Sequence, residues 1–293
     1  MKTLLVFGRA GQVAGELARL DVPGWRVLTA GRESLDLATG DIEGFIAETA
    51  PDAVINAAAY TAVDKAESEP DAAFALNRDA PGRMARACAQ SGAAFVHIST
   101  DYVFDGTKPT AYVETDPLAP LGVYGASKAA GEAEVAAAGG RWAILRTSWV
   151  YSPFGANFVK TMIRVGQARD EVGVVDDQLG RPTAAREVAE AAIAAVFALQ
   201  AADGPLGVLH TAGGGDATWA DLAEEVFTRM QHRLGKRPAL KRIATSDYPT
   251  PAKRPANSRL DGPRATALLG WNPRPWRESL AKCLDEIEES GGL

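Results

Sequence analysis

Two short stretches carry the side chains with the most to offer chemically. "STDYVFDG" begins with Ser99 and Thr100, directly after the apolar run "AAFVHI", and "VYGASKAAGEA" sets Tyr124 four positions before Lys128. Four residues make about one helical turn, so phenol and amine share a face. A tyrosine of ordinary pKa, roughly 10, is a poor base and a slow acid at neutral pH. A neighbouring ammonium favours the phenolate and brings that pKa toward the working range, which suits the pair to proton transfer at a carbonyl. Thr100 suits the oxyanion side of the same event, because a hydroxyl can hydrogen-bond the carbonyl oxygen as charge develops on it. The three histidines, His97, His210 and His232, show no ligand spacing. His97, inside "AAFVHIST", reads as a buried strand residue.

Groups so far apart in sequence meet only where strand ends converge. Apolar runs "TLLVFG", "WRVLTA", "DAVINAA", "AAFVHIS" and "WAILRTS" alternate with Ala-rich amphipathic segments at βαβ spacing. That pattern predicts an α/β fold, a doubly wound parallel sheet with helices on both faces. In such a sheet the carboxyl ends of the strands open on one crevice, so Thr100 and Tyr124 can face the same point. After the first strand, "GRAGQVAGEL" puts Gly8, Gly11 and Ala14 in a G-x-x-G-x-x-A spacing that opens a helix. Glycines there admit a pyrophosphate close to the backbone, and the helix N-terminus supplies free N–H groups. The second strand ends in "VLTAGRES", with Arg32 where an acid for the adenosine ribose is usual. A guanidinium at that place suits a 2′-phosphate and favours NADP over NAD. Asp36 is a candidate for the adenine side, residues 57–59 are small enough for a cofactor to lie along the strand ends, and Lys128 is placed to hold the nicotinamide ribose.

The bulk properties narrow the partners. The chain has 293 residues, 46 % hydrophobic and 23 % charged, enough for a large core in one or two domains. A formal net charge of −6 offers no global positive field for nucleic acid or an anionic membrane surface. Cys88 and Cys283 lie far apart, outside metal-ligand spacing, as expected of reduced thiols in a cytoplasmic protein. No apolar run reaches the roughly 18 to 20 residues of a membrane span, and none at the start suits a signal peptide.

Residues 1–150 are expected to form a dinucleotide-binding Rossmann domain, rejoined by 184–211, while the remainder of 151–293 forms a smaller, loop-rich region for substrate. There "REVAEAAIAAVFALQAA" reads as a long helix, "GVLHTAG" as a strand and "TWADLAEEVFTRM" as a helix capped by Thr218. Lys241 to Arg264, with Pro249, Pro251, Pro255 and Pro263, reads as irregular, and "RATALLG" as a short helix.

The blocks "GRAGQVA", "NAAAYTAVDKAESEP", "STDYVFDG", "VYGASKAAGE", "RTSWVY", "NFVKTM", "DDQLGRPT" and "YPTPAKRPANSRL" run through nearly the whole chain. Together they resemble the extended short-chain dehydrogenase/reductase superfamily, and within it the dTDP-4-dehydrorhamnose reductases. The resemblance implies reduction of the 4-keto sugar dTDP-4-dehydro-L-rhamnose to dTDP-L-rhamnose by NADPH, with NADH as the alternative donor. It assigns Thr100, Tyr124 and Lys128 to catalysis, and Asp101 and Trp149 to the sugar. To the cofactor it assigns Gly11, Gln12, Val13, Asp36, Leu37, Ala59, Tyr60 and Thr61. Trp149 offers a flat apolar face to a deoxysugar. Asn157, Gln178, Arg254, Asn257 and Arg259 are candidate contacts to the nucleotide or its diphosphate, the arginines as bidentate clamps.

This chain departs from the family pattern at Tyr60, where a histidine is common, and at Ala14, where a glycine is common. Some members join two subunits through magnesium held by glutamates. Glu16 fits one such position but Arg186 occupies another, which weighs against that metal and that homodimer here. Two other readings stay open. A nucleotide-sugar dehydratase or epimerase shares the fold, although dehydratases carry Asp then Glu after the Ser-Thr and here Thr100 is followed by Asp101 and Tyr102. A non-catalytic, NADP-binding regulatory subunit is the other, opposed by the intact Thr, Tyr and Lys set.

Overall fold

The apolar runs fold as parallel strands. The computed structural model describes residues 1–291. In it β1 (Lys2–Phe7), β2 (Trp25–Ala30), β3 (Ala53–Asn56), β4 (Ala94–Thr100) and β5 (Trp142–Thr147) join a strand at Gly207–His210. Their spatial order is Gly207–His210, β5, β4, β3, β1, β2, every pair parallel. Successive residues Leu4, Leu5, Val6 and Phe7 are all buried, because both faces of the sheet are covered. Leu4 and Val6 meet Leu17, Val188 and Leu199 under helices Gln12–Arg19 and Ala185–Ala201. On the other face, Leu5 and Phe7 meet Ile46 and Met84 under helices Ile42–Thr49 and Ala80–Ser91. Each such side chain contributes about 1.5–3 kcal/mol by leaving water. The direction of winding reverses between β1 and β3, so the crevice above their carboxyl ends is where a ligand fits.

The helix Val123–Ala137 lies unusually close to its neighbours. A Cβ on Gly125 would sit 2.1 Å from the Tyr102 carbonyl oxygen, and one on Gly131 would sit 1.9 Å from that of Asn77. Only glycine admits those approaches. Before β4, the helices Pro70–Phe74 and Ala80–Ser91 are joined by a π-helical turn, Ala75–Asp79. That wider turn brings Asn77 inward, where its Oδ1 accepts from the Tyr60 N–H at 2.9 Å and its Nδ2 donates to Tyr60 O and Ser127 Oγ, each at 3.0 Å. The loop after β3 is thereby pinned to the helix that carries Tyr124.

A second core gathers Tyr151, Ile163, Val174, Phe227, Trp276 and Leu284 among helices Phe158–Ala168, Trp219–Leu234 and Trp276–Glu289. Thr218 caps its helix in a reciprocal box with Asp221. Part of the stretch expected to be irregular is regular: Ala239–Ile243 is a strand paired in parallel with Glu171–Val175. It escaped notice because Lys241 and Arg242 are exposed and no residue of the strand but Leu240 and Ile243 offers an apolar face. Cys88 and Cys283 are free and buried. No helix among the described residues is long and apolar enough to cross a membrane.

Candidate active site

A cleft of about 1080 Å³ opens over the reversal point. Gly8, Gly11, Gln12 and Val13 line it after β1, Ala59 and Thr61 after β3, and Thr100 and Asp101 after β4. Tyr124 and Lys128 come from the close-lying helix, and Trp149, Asn157, Gln178 and Arg254 face them from the other side. Gly8 has φ +120°, and a Cβ there would stand 3.2 Å from Ala14 Cβ and 3.3 Å from the Ala57 carbonyl carbon. Gly11 precedes the helix Gln12–Arg19 without a side-chain cap, so the first N–H groups remain for an anion. Four buried polar atoms on the wall, Gln12 Oε1, Thr147 Oγ1, Asp101 Oδ2 and Arg254 Nη1, have no hydrogen-bond partner among the described residues. Buried polar groups are normally paired, so this wall fits a ligand rich in hydroxyl and phosphate groups, as a nicotinamide dinucleotide is.

The Thr100 hydroxyl donates to Asp101 Oδ1 at 2.8 Å and accepts from the Tyr102 N–H at 3.2 Å. Its neighbour Ser99 is committed beneath the cleft, donating to Glu132 Oε1 at 2.6 Å. Tyr124 meets Tyr102 edge to face, 5.6 Å between centroids. Burial pushes its phenol pKa up, with the Thr100 hydroxyl opposing. Lys128 is buried and donates from Nζ to the Ile98 carbonyl at 2.6 Å, with His97 Nε2 at 3.2 Å. Burial brings its pKa down to about 8, against a raising effect of Glu132. The lysine was expected to make the phenol more acidic; in this arrangement burial dominates the phenol and Lys128 Nζ is engaged by the Ile98 carbonyl on β4.

Asp101 is 3 % exposed, and burial raises its pKa to about 7, opposed by the Thr100 hydroxyl on its Oδ1. Its folded-state value lies above the unfolded one, so its stabilising contribution is complete below roughly pH 4 and is lost as pH rises through about 7. Asp101→Asn, neutral at every pH, is expected to melt at a higher temperature than the parent at pH 8 and at nearly the same temperature at pH 4. Thermal denaturation across that range checks it, and an unchanged difference at both ends would refute the assignment.

Trp149 has φ +49°, a conformation that costs a bulky residue about 1–3 kcal/mol and that clusters at functional sites. Three contacts hold it. Its Nε1 donates to Ser258 Oγ at 3.0 Å, its ring stacks on Trp219 at 3.6 Å and 7°, and Gly180 leaves space where a Cβ would stand 2.3 Å from the indole. The face expected to receive a sugar is thus partly covered by a second indole. Trp219 was missed: the stretch "TWADLAEEVFTRM" signalled a helix capped by Thr218, and nothing local showed that the indole after the cap turns into the cleft. Trp219 Nε1 donates to Gln178 Oε1 at 3.1 Å, and Gln178 Nε2 to Thr245 Oγ1 at 2.9 Å. Arg254 pairs with Asp64 at 2.8 Å and lies 5.9 Å from the Tyr102 ring, which adds Asp64 and Tyr102 to the wall. Asn157 lines the cleft, yet its amide caps the helix Phe158–Ala168, accepting from the Lys160 N–H and donating to Ser152 O.

Several expected contacts are not brought to the cleft wall. The Tyr60 hydroxyl donates to Glu69 at 2.7 Å, facing away. Arg32, largely exposed, pairs with Asp36 at 3.1 Å beyond the end of β2, and Leu37 joins the core beneath the sheet. Asn257 is buried as a loop staple, donating to Lys108 O and Thr110 O and accepting from Arg259. Arg259 is occupied by Asp216 at 3.0 Å and Pro109 O at 2.6 Å, so neither is free to clamp a phosphate. The magnesium position gains no support. Glu16 is buried with Arg19 and Arg186 each 3.9 Å away, and among the described residues no group of three or more His, Cys, Asp or Glu could hold a metal ion.

Residues 1–289 match the family model described as RmlD substrate binding domain. A curated relative from Sinorhizobium fredii, named dTDP-4-dehydrorhamnose reductase, is 45 % identical over 94 % of each chain. A solved dTDP-4-dehydrorhamnose reductase from Clostridium acetobutylicum superposes with TM-score 0.90 at 34 % identity, covering 98 % of this chain and 99 % of that one. Another from Bacillus anthracis, in complex with NADP, gives 0.89 at 32 % identity over 97 % and 99 %. With its glycine turn, its Thr-Tyr-Lys cleft and this near full-length likeness, the chain belongs to the RmlD substrate binding domain family, among the dTDP-4-dehydrorhamnose reductases.

Proposed function

We propose that the protein reduces the 4-keto group of dTDP-4-dehydro-L-rhamnose, giving dTDP-L-rhamnose, with NADPH as donor. The observation that carries this reading is that Thr100, Tyr124 and Lys128 line one cleft together with the glycine turn after β1. The dinucleotide supplies hydride to the carbonyl carbon. Orientation and the proton are the protein's work. Tyr124, kept protonated by its burial, donates to the carbonyl oxygen, and Thr100 turns its hydroxyl from Asp101 to the same oxygen as charge grows there. Lys128, when charged, stabilises the phenolate left behind and holds the nicotinamide ribose. Asp101 and the paired indoles address the sugar, Gln178 and Arg254 the nucleotide. The names of the relatives support the substrate, and the NADP of the Bacillus anthracis enzyme supports the cofactor. We read the protein as working in the cytoplasm.

The test is NADPH absorbance with dTDP-linked 4-keto sugar. Rapid oxidation is expected, with no release of a 4-keto-6-deoxy sugar from dTDP-glucose. Elimination from dTDP-glucose would favour the dehydratase, and binding of NADP without turnover would favour a regulatory subunit.

Arg32 has one carboxylate partner among the described residues, Asp36, and lies in solvent, so its guanidinium can turn to a 2′-phosphate without a burial cost. Arg32→Ala is expected to weaken NADPH about tenfold and leave NADH unchanged, the worth of one charge-assisted hydrogen bond. Equal ratios of the two cofactors in parent and variant would remove Arg32 from this role.

A further inference from the structure

Beneath the cleft, a chain of buried donors and acceptors runs from backbone to Lys128. Asn56, the last residue of β3, and His97, within β4, are register partners, 1 % and 0 % exposed. Asn56 Oδ1 accepts from the Ala58 N–H at 3.1 Å. This fixes the amide, since flipping it would set an NH₂ against an N–H. Asn56 Nδ2 then faces His97 Nδ1 at 3.1 Å as a donor, so Nδ1 must present its lone pair. A neutral imidazole with a free Nδ1 carries its proton on Nε2, and Nε2 lies 3.2 Å from Lys128 Nζ. Burial by itself holds the ring pKa well below its ordinary value, so the ring is neutral whichever state the lysine is in.

An Nε2–H and an ammonium are both donors and cannot bond each other. A neutral amine can accept from Nε2–H while donating to the Ile98 carbonyl at 2.6 Å. The other titratable groups around Lys128 are Glu132 and Tyr124 on its own helix and Asp101 after β4. Glu132 is taken by Arg146 at 2.6 Å and by Ser99, and Asp101 by Thr100. None replaces the imidazole as the partner of Nζ.

We propose that His97 is the positioning residue of Lys128: its Nε2–H, dictated by Asn56 and the Ala58 backbone, holds the lysine on β4 only as a neutral amine and releases it toward Tyr124 once it is protonated. Lys128 thereby has a parked, uncharged state and a working, charged one. The burial that lowers its pKa to about 8 acts in the same direction. The working half of this inference rests on the reductase reading, whereas the ring tautomer and the lysine titration do not.

Asn56→Asp is isosteric and reverses the chain. A carboxylate still accepts from Ala58 but now also from His97 Nδ1–H, which turns the Nε2 lone pair toward Lys128 and favours the ammonium. Nitrogen NMR of ring-labelled protein is expected to show the Nε2–H tautomer in the parent and Nδ1–H in Asn56→Asp. The pKa of Lys128, followed through its labelled Cε, is expected to rise by about one unit or more in that variant and also in His97→Leu. The alkaline limb of the NADPH rate should move with it, since activity falls as Lys128 loses its proton. An Nδ1–H tautomer in the parent would overturn the proposal with no variant needed. A reversed tautomer with an unmoved Lys128 pKa would overturn the link to the lysine. A protein that shows both NMR changes but reduces no keto sugar would sink the reductase reading and leave this one standing.

Discussion

Tyr124→Phe is expected to lower kcat about 10²- to 10⁴-fold while KM and NADPH affinity change little, the span a positioned general acid contributes. The phenyl ring keeps the edge-to-face contact with Tyr102, so only the hydroxyl is lost and the fold is unaffected. Steady-state NADPH oxidation, with cofactor fluorescence as a separate readout of binding, divides chemistry from affinity. A kcat within threefold of the parent would mean that the proton reaches the ketone by another route. The size of the effect follows from the surroundings: Ser99 is bound to Glu132 and the Thr100 hydroxyl donates to Asp101, which leaves the Tyr124 phenol as the proton donor at this end of the cleft.

Glu132→Ala is expected to cost about 3–5 kcal/mol of folding stability, the penalty for leaving a buried charge without its partner. Arg146 is 3 % exposed and meets the carboxylate through Nε and Nη2 at 2.9 and 2.6 Å. Without it the guanidinium keeps, among the described residues, the Glu114 carbonyl at 3.5 Å and His210 at 3.4 Å, and Ser99 loses its acceptor. Against a total of roughly 5–15 kcal/mol this is a large fraction. Urea denaturation measures it. Glu132→Ala/Arg146→Met should recover most of the loss, because the orphaned charge is then gone; a single variant within 1 kcal/mol of the parent would show that water reaches the arginine.

The parts of the site that were legible in the sequence are those set by local succession along the chain. Strand, glycine turn and helix place Gly8, Gly11, Gln12 and Val13 by themselves, and strand end plus helical spacing place Thr100, Tyr124 and Lys128. What local succession does not reveal depends on partners remote in sequence. Arg259 has the right chemistry for a phosphate, and only the fold reveals that Asp216 already holds it. Tyr60 follows a small-residue strand end as a cofactor contact would, but the π turn and Asn77 fix its backbone so that its ring leaves for Glu69. His97 was read correctly as buried; that it touches the amine of Lys128 needs the register of β3 with β4 and the approach of the helix above them. The strand Ala239–Ile243 lacks a period because its charged side chains face solvent on a two-stranded edge.

The stacked indoles of Trp149 and Trp219 have an optical consequence. Two such chromophores 3.6 Å apart and nearly parallel couple their transitions, so they should add an exciton couplet to the ultraviolet circular dichroism of the protein. Any guest that slides one ring off the other would erase that couplet, giving a label-free gauge of occupancy on the sugar side of the cleft that owes nothing to turnover.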